Sequence, residues 1–208
     1  MNTKERPCSG FLSLFINATH YSTMIFRETF SYQSHRLLLG RSVTVVAEIF
    51  IRYVTTNGLE KTARFNSDET GFNLDLRNIA QVDLLPLIWC ENIETLCIRN
   101  NSLTEIDLSP LEKCGKKLKA VRLGHNRLQE IDLEPLSACP NLEEVSLLEN
   151  RLKRVDLSPL FHCPKLRELK IDDDVGLTAD LLLRSVGSWP EVLIEQYHRI
   201  LWKTDTTD

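Results

Sequence analysis

The 208-residue sequence lacks most of the features that would commit it to a chemistry. It has no H-E-x-x-H, no G-x-S-x-G and no Walker sequence, so zinc-peptidase, serine-hydrolase and P-loop chemistry have no foothold. Its five histidines, His20, His35, His125, His162 and His198, share no segment and have no i, i+4 partner. Six cysteines are too few for a disulfide scaffold of this length, and eight glycines and eight prolines leave no low-complexity region. A net charge of -4 excludes a nucleic-acid binder that works through overall basicity. No run approaches the ~18–20 apolar residues of a membrane-spanning helix. Phe11 to Ile16 follows Lys4 and Arg6, but this stretch is short, contains Ser13 and has no small-residue cleavage site before Tyr21, so secretion is not expected. The sequons Asn17-Ala18-Thr19 and Asn100-Asn101-Ser102 carry meaning only in an exported chain.

What is abundant is leucine, and it is placed with a period. The segment Val82-Asp83-Leu84-Leu85-Pro86-Leu87 returns as Ile106-Asp107-Leu108-Ser109-Pro110-Leu111. It returns again as Ile131-Asp132-Leu133-Glu134-Pro135-Leu136 and Val155-Asp156-Leu157-Ser158-Pro159-Leu160, at offsets of 24, 25 and 24 residues. Each copy continues alike. A cysteine follows (Cys90, Cys114, Cys139, Cys163), then an apolar triplet such as Ile93, Leu96 and Ile98 or Leu118, Val121 and Leu123. Asn101, Asn126 and Asn150, each with a leucine two residues on, close the first three copies.

At these residues the chain resembles the leucine-rich repeat family, whose pattern is L-x-x-L-x-L-x-x-N-x-L. Four register-matched copies over residues 82–178 make the match specific. The I-D-L-x-P-L-x-x-C segment is similar to a short variant of archaeal repeat proteins. The resemblance implies an α/β repeat solenoid: a right-handed coil with a parallel β-sheet on its concave face, which in the family is the usual partner-binding surface. Phe72, Leu74, Ile79 and Val82 occupy half of an earlier copy, with Arg77 in the asparagine slot, and Asp174 takes that slot at the far end.

The pattern has a physical basis of its own. Apolar residues at alternate positions, such as Leu96 and Ile98, face one side of a short strand. Ser109 or Ser158 is placed to cap a helical turn with proline at its first position. One coil buries too little to fold alone, so stability has to come from stacking, and both ends need covers.

The expected organisation is therefore a tail (1–41), a β-hairpin cap (42–66), repeats (67–178) and a C-terminal helical cap (179–208). For the hairpin, a three-residue loop Thr56 to Gly58 pairs Ile49 with Phe65 and Ile51 with Ala63, which the apolar pattern favours over a two-residue Asn57-Gly58 loop. Ser188-Trp189-Pro190-Glu191 reads as a capping box opening a helix to about Trp202, after a shorter helix over Ala179–Ser185. Residues 1–41 show scattered aromatics and no period, as a disordered tail, a leader or an extension before Met24 would.

The periodic cysteines suggest metal, but one ligand per coil forms a line, whereas zinc needs four ligands converging. They are expected to stack as small buried residues, and no cofactor or metal is expected. Asp83, Asp107, Asp132 and Asp156 are expected to accept backbone N–H groups of the following turn, and the asparagines to bond loop backbone. Lys113, Lys116, Lys117 and Lys119 form a basic run diluted by Glu112, expected to be solvated. With no candidate for catalysis, the chain is not expected to be an enzyme.

The strand positions facing outward are then the candidate site. Columns of Gly71, Thr95, Ala120, Glu144 and Glu168, of Asn73, Cys97, Arg122, Ser146 and Lys170, and of Asp75, Arg99, Gly124, Leu148 and Asp172 define it. The residues expected to bind a partner protein are Thr95, Cys97, Arg99, Arg122, Glu144, Ser146, Leu148, Glu168, Lys170 and Asp172. This strip covers on the order of 360 Å², against about 800 Å² per partner in a standard interface. The loops carrying His125, Glu149 and Asp173 would have to contribute, or the tail would, or binding is weak. The alternative is a structural or regulatory spacer whose contacts are made by the tail and the C-terminal helix. The absence of any demand for disulfides points to the reducing cytoplasm; the identity of the partner protein and the oligomeric state are not encoded in the pattern.

Overall fold

Alternating apolar residues make the first two elements an antiparallel hairpin, β1 (Glu48–Thr55) and β2 (Glu60–Asn66). Ile49 pairs with Phe65 and Ile51 with Ala63, the register of the three-residue loop, and Gly58 takes the left-handed conformation at φ 79°. Ile49, Ile51, Tyr53, Ala63 and Phe65 are buried on one face, so the apolar pattern selected the register. This computed structural model describes residues 46–185 and 189–204, all within the second of two compact units, residues 45–208. The expected tail and Ser188 of the expected capping box lie outside the described residues.

The repeats then follow. β3 (Gly71–Asn73) opens the first coil and β4 (Ile79–Val82) closes its other side by pairing antiparallel with β1. β5 (Thr95–Cys97), β6 (Ala120–Arg122), β7 (Glu144–Ser146) and β9 (Glu168–Lys170) join β3 in a five-stranded parallel sheet in the order β3-β5-β6-β7-β9. Between β7 and β9 lies β8 (Arg154–Asp156), on the opposite side of its coil. Phe72, Leu96, Val121, Val145 and Leu169 stand in register across the sheet and point into one continuous core. Phe65 of the hairpin meets Phe72 at 4.7 Å between ring centroids, so the hairpin shares that core.

Opposite the sheet, short 3₁₀ turns run over Leu85–Trp89, Glu134–Ala138 and Ser158–His162, with a four-residue helix α1 (Leu111–Cys114) in the remaining coil. Proline occupies the first positions of the 3₁₀ turns, as its fixed φ favours. The serines do not cap them: no side chain caps these turns. The aspartates stand in instead. Oδ1 of Asp83, Asp107, Asp132 and Asp156 accepts the backbone N–H two residues on at 2.8–2.9 Å. Ser158 hydrogen-bonds Asp156 and accepts Asp180 N–H at 2.8 Å, tying one coil to the next.

The asparagines also bridge coils. Asn126 Oδ1 accepts Leu103 N–H at 3.1 Å, while its Nδ2 donates to Ile98 O at 2.8 Å and Leu123 O at 3.0 Å. Asn101 and Asn150 repeat the arrangement one coil to either side. Cys90, Cys114, Cys139 and Cys163 are buried free thiols. Their packing is tight enough that a Cβ on Gly115 would fall 2.4 Å from Cys139 Sγ. Gly115→Ala is therefore expected to cost ~1–3 kcal/mol. Cys139→Ala, which clears that space, should recover part of the loss in a double-mutant cycle read by urea unfolding; strict additivity would refute the contact.

The C-terminal end departs from the expected pair of helices. Ala179 belongs to β10 (Gly176–Asp180), which pairs parallel with β8, and only Leu181–Ser185 forms a 3₁₀ turn. Asp180 Oδ1 accepts Leu182 N–H at 2.8 Å, so this segment is a fifth aspartate turn whose proline has become Leu183. The expected long helix is a single turn, α2 (Glu191–Glu195), followed by a 3₁₀ turn and then β11 (Ile200–Lys203), which pairs parallel with β10. The open edge of β10 offered unpaired backbone groups, and pairing them outweighed the helical spacing of the apolar residues. Arg199 completes this end by donating to the carbonyls of Asp172 and Asp173 at 3.0 Å and Val175 at 3.4 Å. Trp189, Tyr197 and Trp202 pack together, and Trp189 and Trp202 meet the ring of Phe161. Among the described residues no helix is long and apolar enough to cross a membrane.

Candidate functional site

The outward face of the five-stranded sheet brings the candidate residues together, but in unequal degrees of access. Arg99 and Glu168 are exposed, and Thr95, Arg122, Glu144, Leu148, Lys170 and Asp172 are half-buried. Cys97 and Ser146 are buried, at 6% and 8% exposure, and so offer no contact surface of their own. Arg122 reaches over Cys97 from the neighbouring coil, with Nη1 3.9 Å from its Sγ.

The charges on this face neutralise one another across coils. Arg99 Nη2 meets Asp75 Oδ2 at 2.8 Å, and Arg99 N–H donates to the same carboxylate. Arg122 hydrogen-bonds Glu144 through Nε at 2.9 Å and pairs with it through Nη2. Lys170 reaches Glu168 at 2.8 Å and Glu144 at 3.6 Å. Hydrogen bonding from Arg122, then its charge and that of Lys170, holds the Glu144 carboxyl below the usual carboxylate range. The pairing thus contributes above that range and is lost as pH falls through the lowered value. Glu144 raises the Arg122 guanidinium in turn, chiefly through the same hydrogen bond. Asp172 accepts Glu149 N–H at 2.9 Å, so it is committed to the loop backbone.

A column just before the strands belongs to the same face and is absent from the sequence-based set. Lys119 pairs with Glu94 at 2.8 Å, and Arg167 pairs with Glu143. Together with Thr95, Ala120, Arg122, Glu144 and Glu168, the residues Lys119, Glu143 and Arg167 line an open depression of about 500 Å³. Their signal was the same 24-residue period, with charge alternating along Glu94, Lys119, Glu143 and Arg167.

Beyond the strands the rim is strained. Leu76, Asn100, His125 and Glu149, at one equivalent position per coil, all have φ between 55° and 58°. Asparagine tolerates this left-handed backbone, whereas leucine and glutamate pay for it. His125 Nδ1 lies 2.8 Å from Glu149 Oε2, linking two of these turns. Among the described residues no group of histidine, cysteine and acidic side chains is arranged to hold a metal.

Residues 116–174 match the family model described as leucine rich repeat. No curated protein matches the chain. Among solved structures, internalin C2 from Listeria monocytogenes is 34% identical over 48% of this chain, with a TM-score of 0.40. The functional domain of InlJ from Listeria monocytogenes, described as including a cysteine ladder, is 27% identical over 50% of this chain, with a TM-score of 0.41. The aligned regions span 40% and 20% of those two chains. With four in-register copies of the motif stacked into one parallel sheet, and the family model matching residues 116–174 among them, these coils are leucine-rich repeats.

Proposed function

We propose that the protein is a non-catalytic, cytoplasmic interaction module that binds a partner protein through the outward face of its five-stranded sheet. The depression lined by Lys119, Arg122, Glu144 and Arg167 carries this reading. Its charges are already oriented by one another, so a partner meets fixed donors and acceptors with little ordering left to pay for. The buried free thiols accord with a reducing compartment. The same reading takes the sheet as concave, the coil as right-handed, as parallel crossovers almost always are, and the hairpin and the Trp189–Lys203 segment as covers for the two ends. The burial of Cys97 and Ser146 shrinks the strip below its nominal size, which leaves the rim at His125 and Glu149 to supply the rest of the interface.

The test exchanges the central pair. Arg122→Glu with Glu144→Arg keeps an ion pair in place but reverses the field over the depression. Capture of the partner from native lysate is expected to fall by ~10-fold or more, with the melting temperature nearly unchanged. Undiminished capture would count against this face. Capture by a chain lacking residues 1–41 should persist, whereas a spacer working through its tail would lose it.

A further inference from the structure

We infer that the protein carries a second interaction surface, on the flank where the chain leaves the sheet, and that it fits an acidic, extended segment of a protein. Arg127, Arg151, Lys153 and Arg154 make it. All four are exposed; Arg127, Arg151 and Lys153 lie in the loops of two neighbouring coils, and Arg154 opens β8. Arg127 and Arg151 hold the same position one coil apart. Arg127 N–H donates to Leu103 O and Arg151 N–H donates to Leu128 O, both at 2.9 Å. Lys153 and Arg154 follow directly, separated from Arg151 by the buried Leu152, and Arg154 stands on the exposed face of β8.

The contrast with the sheet face makes the inference. There, Arg99, Lys119, Arg122, Arg167 and Lys170 each have a carboxylate within ion-pair reach. On the flank none of the four cations has an ion-pair or side-chain hydrogen-bond partner among the described residues. This is so although Glu130 and Glu149 lie in the same loops and Asp174 lies in the loop of the next coil. Glu149 is engaged with His125, and neither Glu130 nor Asp174 pairs with any of the four. A fold that neutralises its charges coil by coil on one face leaves them open on the adjacent one, so the counter-charge there comes from outside.

Size and sign select the partner. Neighbouring coils stand ~4.8 Å apart, and alternate residues of an extended chain lie ~6.6 Å apart on one side. A strand bearing three or four carboxylates therefore spans the patch, and the three guanidinium groups can take carboxylates with two parallel bonds. Duplex nucleic acid binds through some 6–10 phosphate contacts, more than four cations supply, and the chain's net charge of -4 opposes a long polyanion.

The experiment uses the full chain and a fluorescein-labelled peptide of eight glutamates, read by anisotropy at low salt. Wild-type protein is expected to bind it. Binding should weaken at least ~10-fold with R127E/R151E/K153E/R154E, and clearly with the uncharged R127Q/R151Q/K153Q/R154Q, while K113E/K116E/K117E leaves it unchanged. Circular dichroism melts confirm that each variant is folded. Absence of peptide binding, or binding that is indifferent to the flank variants, overturns the proposal. So does tighter flank-dependent binding of a 20-nucleotide DNA strand or of phosphatidylserine vesicles.

Discussion

Raising the pH above 9 is expected to unfold this protein. Four cysteine thiols are stacked in its core, and burial pushes Cys90 and Cys139 up to about 12 and Cys114 and Cys163 up to about 11. For Cys90 and Cys139 neighbouring thiols of the ladder add to the rise, because one thiolate would face the next. Each thiol is neutral when protonated and its folded value is raised, so its contribution is complete below the unfolded value of 9.0 and is lost as pH climbs toward 11–12. In that window each thiol costs about 1.4 kcal/mol per pH unit, and four together about 5 kcal/mol per unit. A domain of ordinary stability holds only about 5–15 kcal/mol, so melting in a non-thiol reductant should collapse near pH 10. Cys163→Ala should remove about a quarter of the pH-dependent loss, even if it lowers stability at pH 7. A melting temperature flat from pH 7.5 to 10.5 would refute the ladder as described.

The second large effect is expected at Asn126. Truncation to alanine strips the partner from Leu103 N–H and from Ile98 O, two backbone groups in different coils, and loosens Leu123 O as well. An unsatisfied buried polar group costs about 1–3 kcal/mol, so Asn126→Ala should lose about 3–5 kcal/mol in urea unfolding. Asn126→Asp keeps the acceptor and loses the donor, and belongs between the two. Asn101 is more exposed and water can replace its bonds, so its alanine variant should lose less. A loss below about 1 kcal/mol at Asn126 would mean that the coils are held by apolar stacking alone.

Both predictions rest on ladders that periodicity alone revealed, because residues at one position of every coil meet their counterparts whatever the details of the fold. The same logic placed the aspartates against the backbone of the next turn. It failed where a position changed character between coils. Aligning on proline hid the fifth turn at Asp180, which has Leu183 instead. Helical spacing over residues 189–202 suggested a helix, yet Ile200–Lys203 is a strand. Spacing describes a segment by itself, and here an open strand edge 23 residues back along the chain decided the outcome.

The candidate site divides in the same way. That Thr95, Arg122, Glu144, Glu168 and Lys170 share a face follows from strand alternation, which is local. That Arg122 covers Cys97, that Glu144 sits between Arg122 and Lys170, and that Lys119, Glu143 and Arg167 complete the depression depend on side chains reaching across coils. Sequence by itself determined the coil, its buried ladders and the hairpin register, because each repeats a local pattern with one apolar solution. Only the tertiary structure decided how the stack ends and which charges are spent on neighbours and which stay open, because side chains and strand edges must first meet in space before pairing can choose among them.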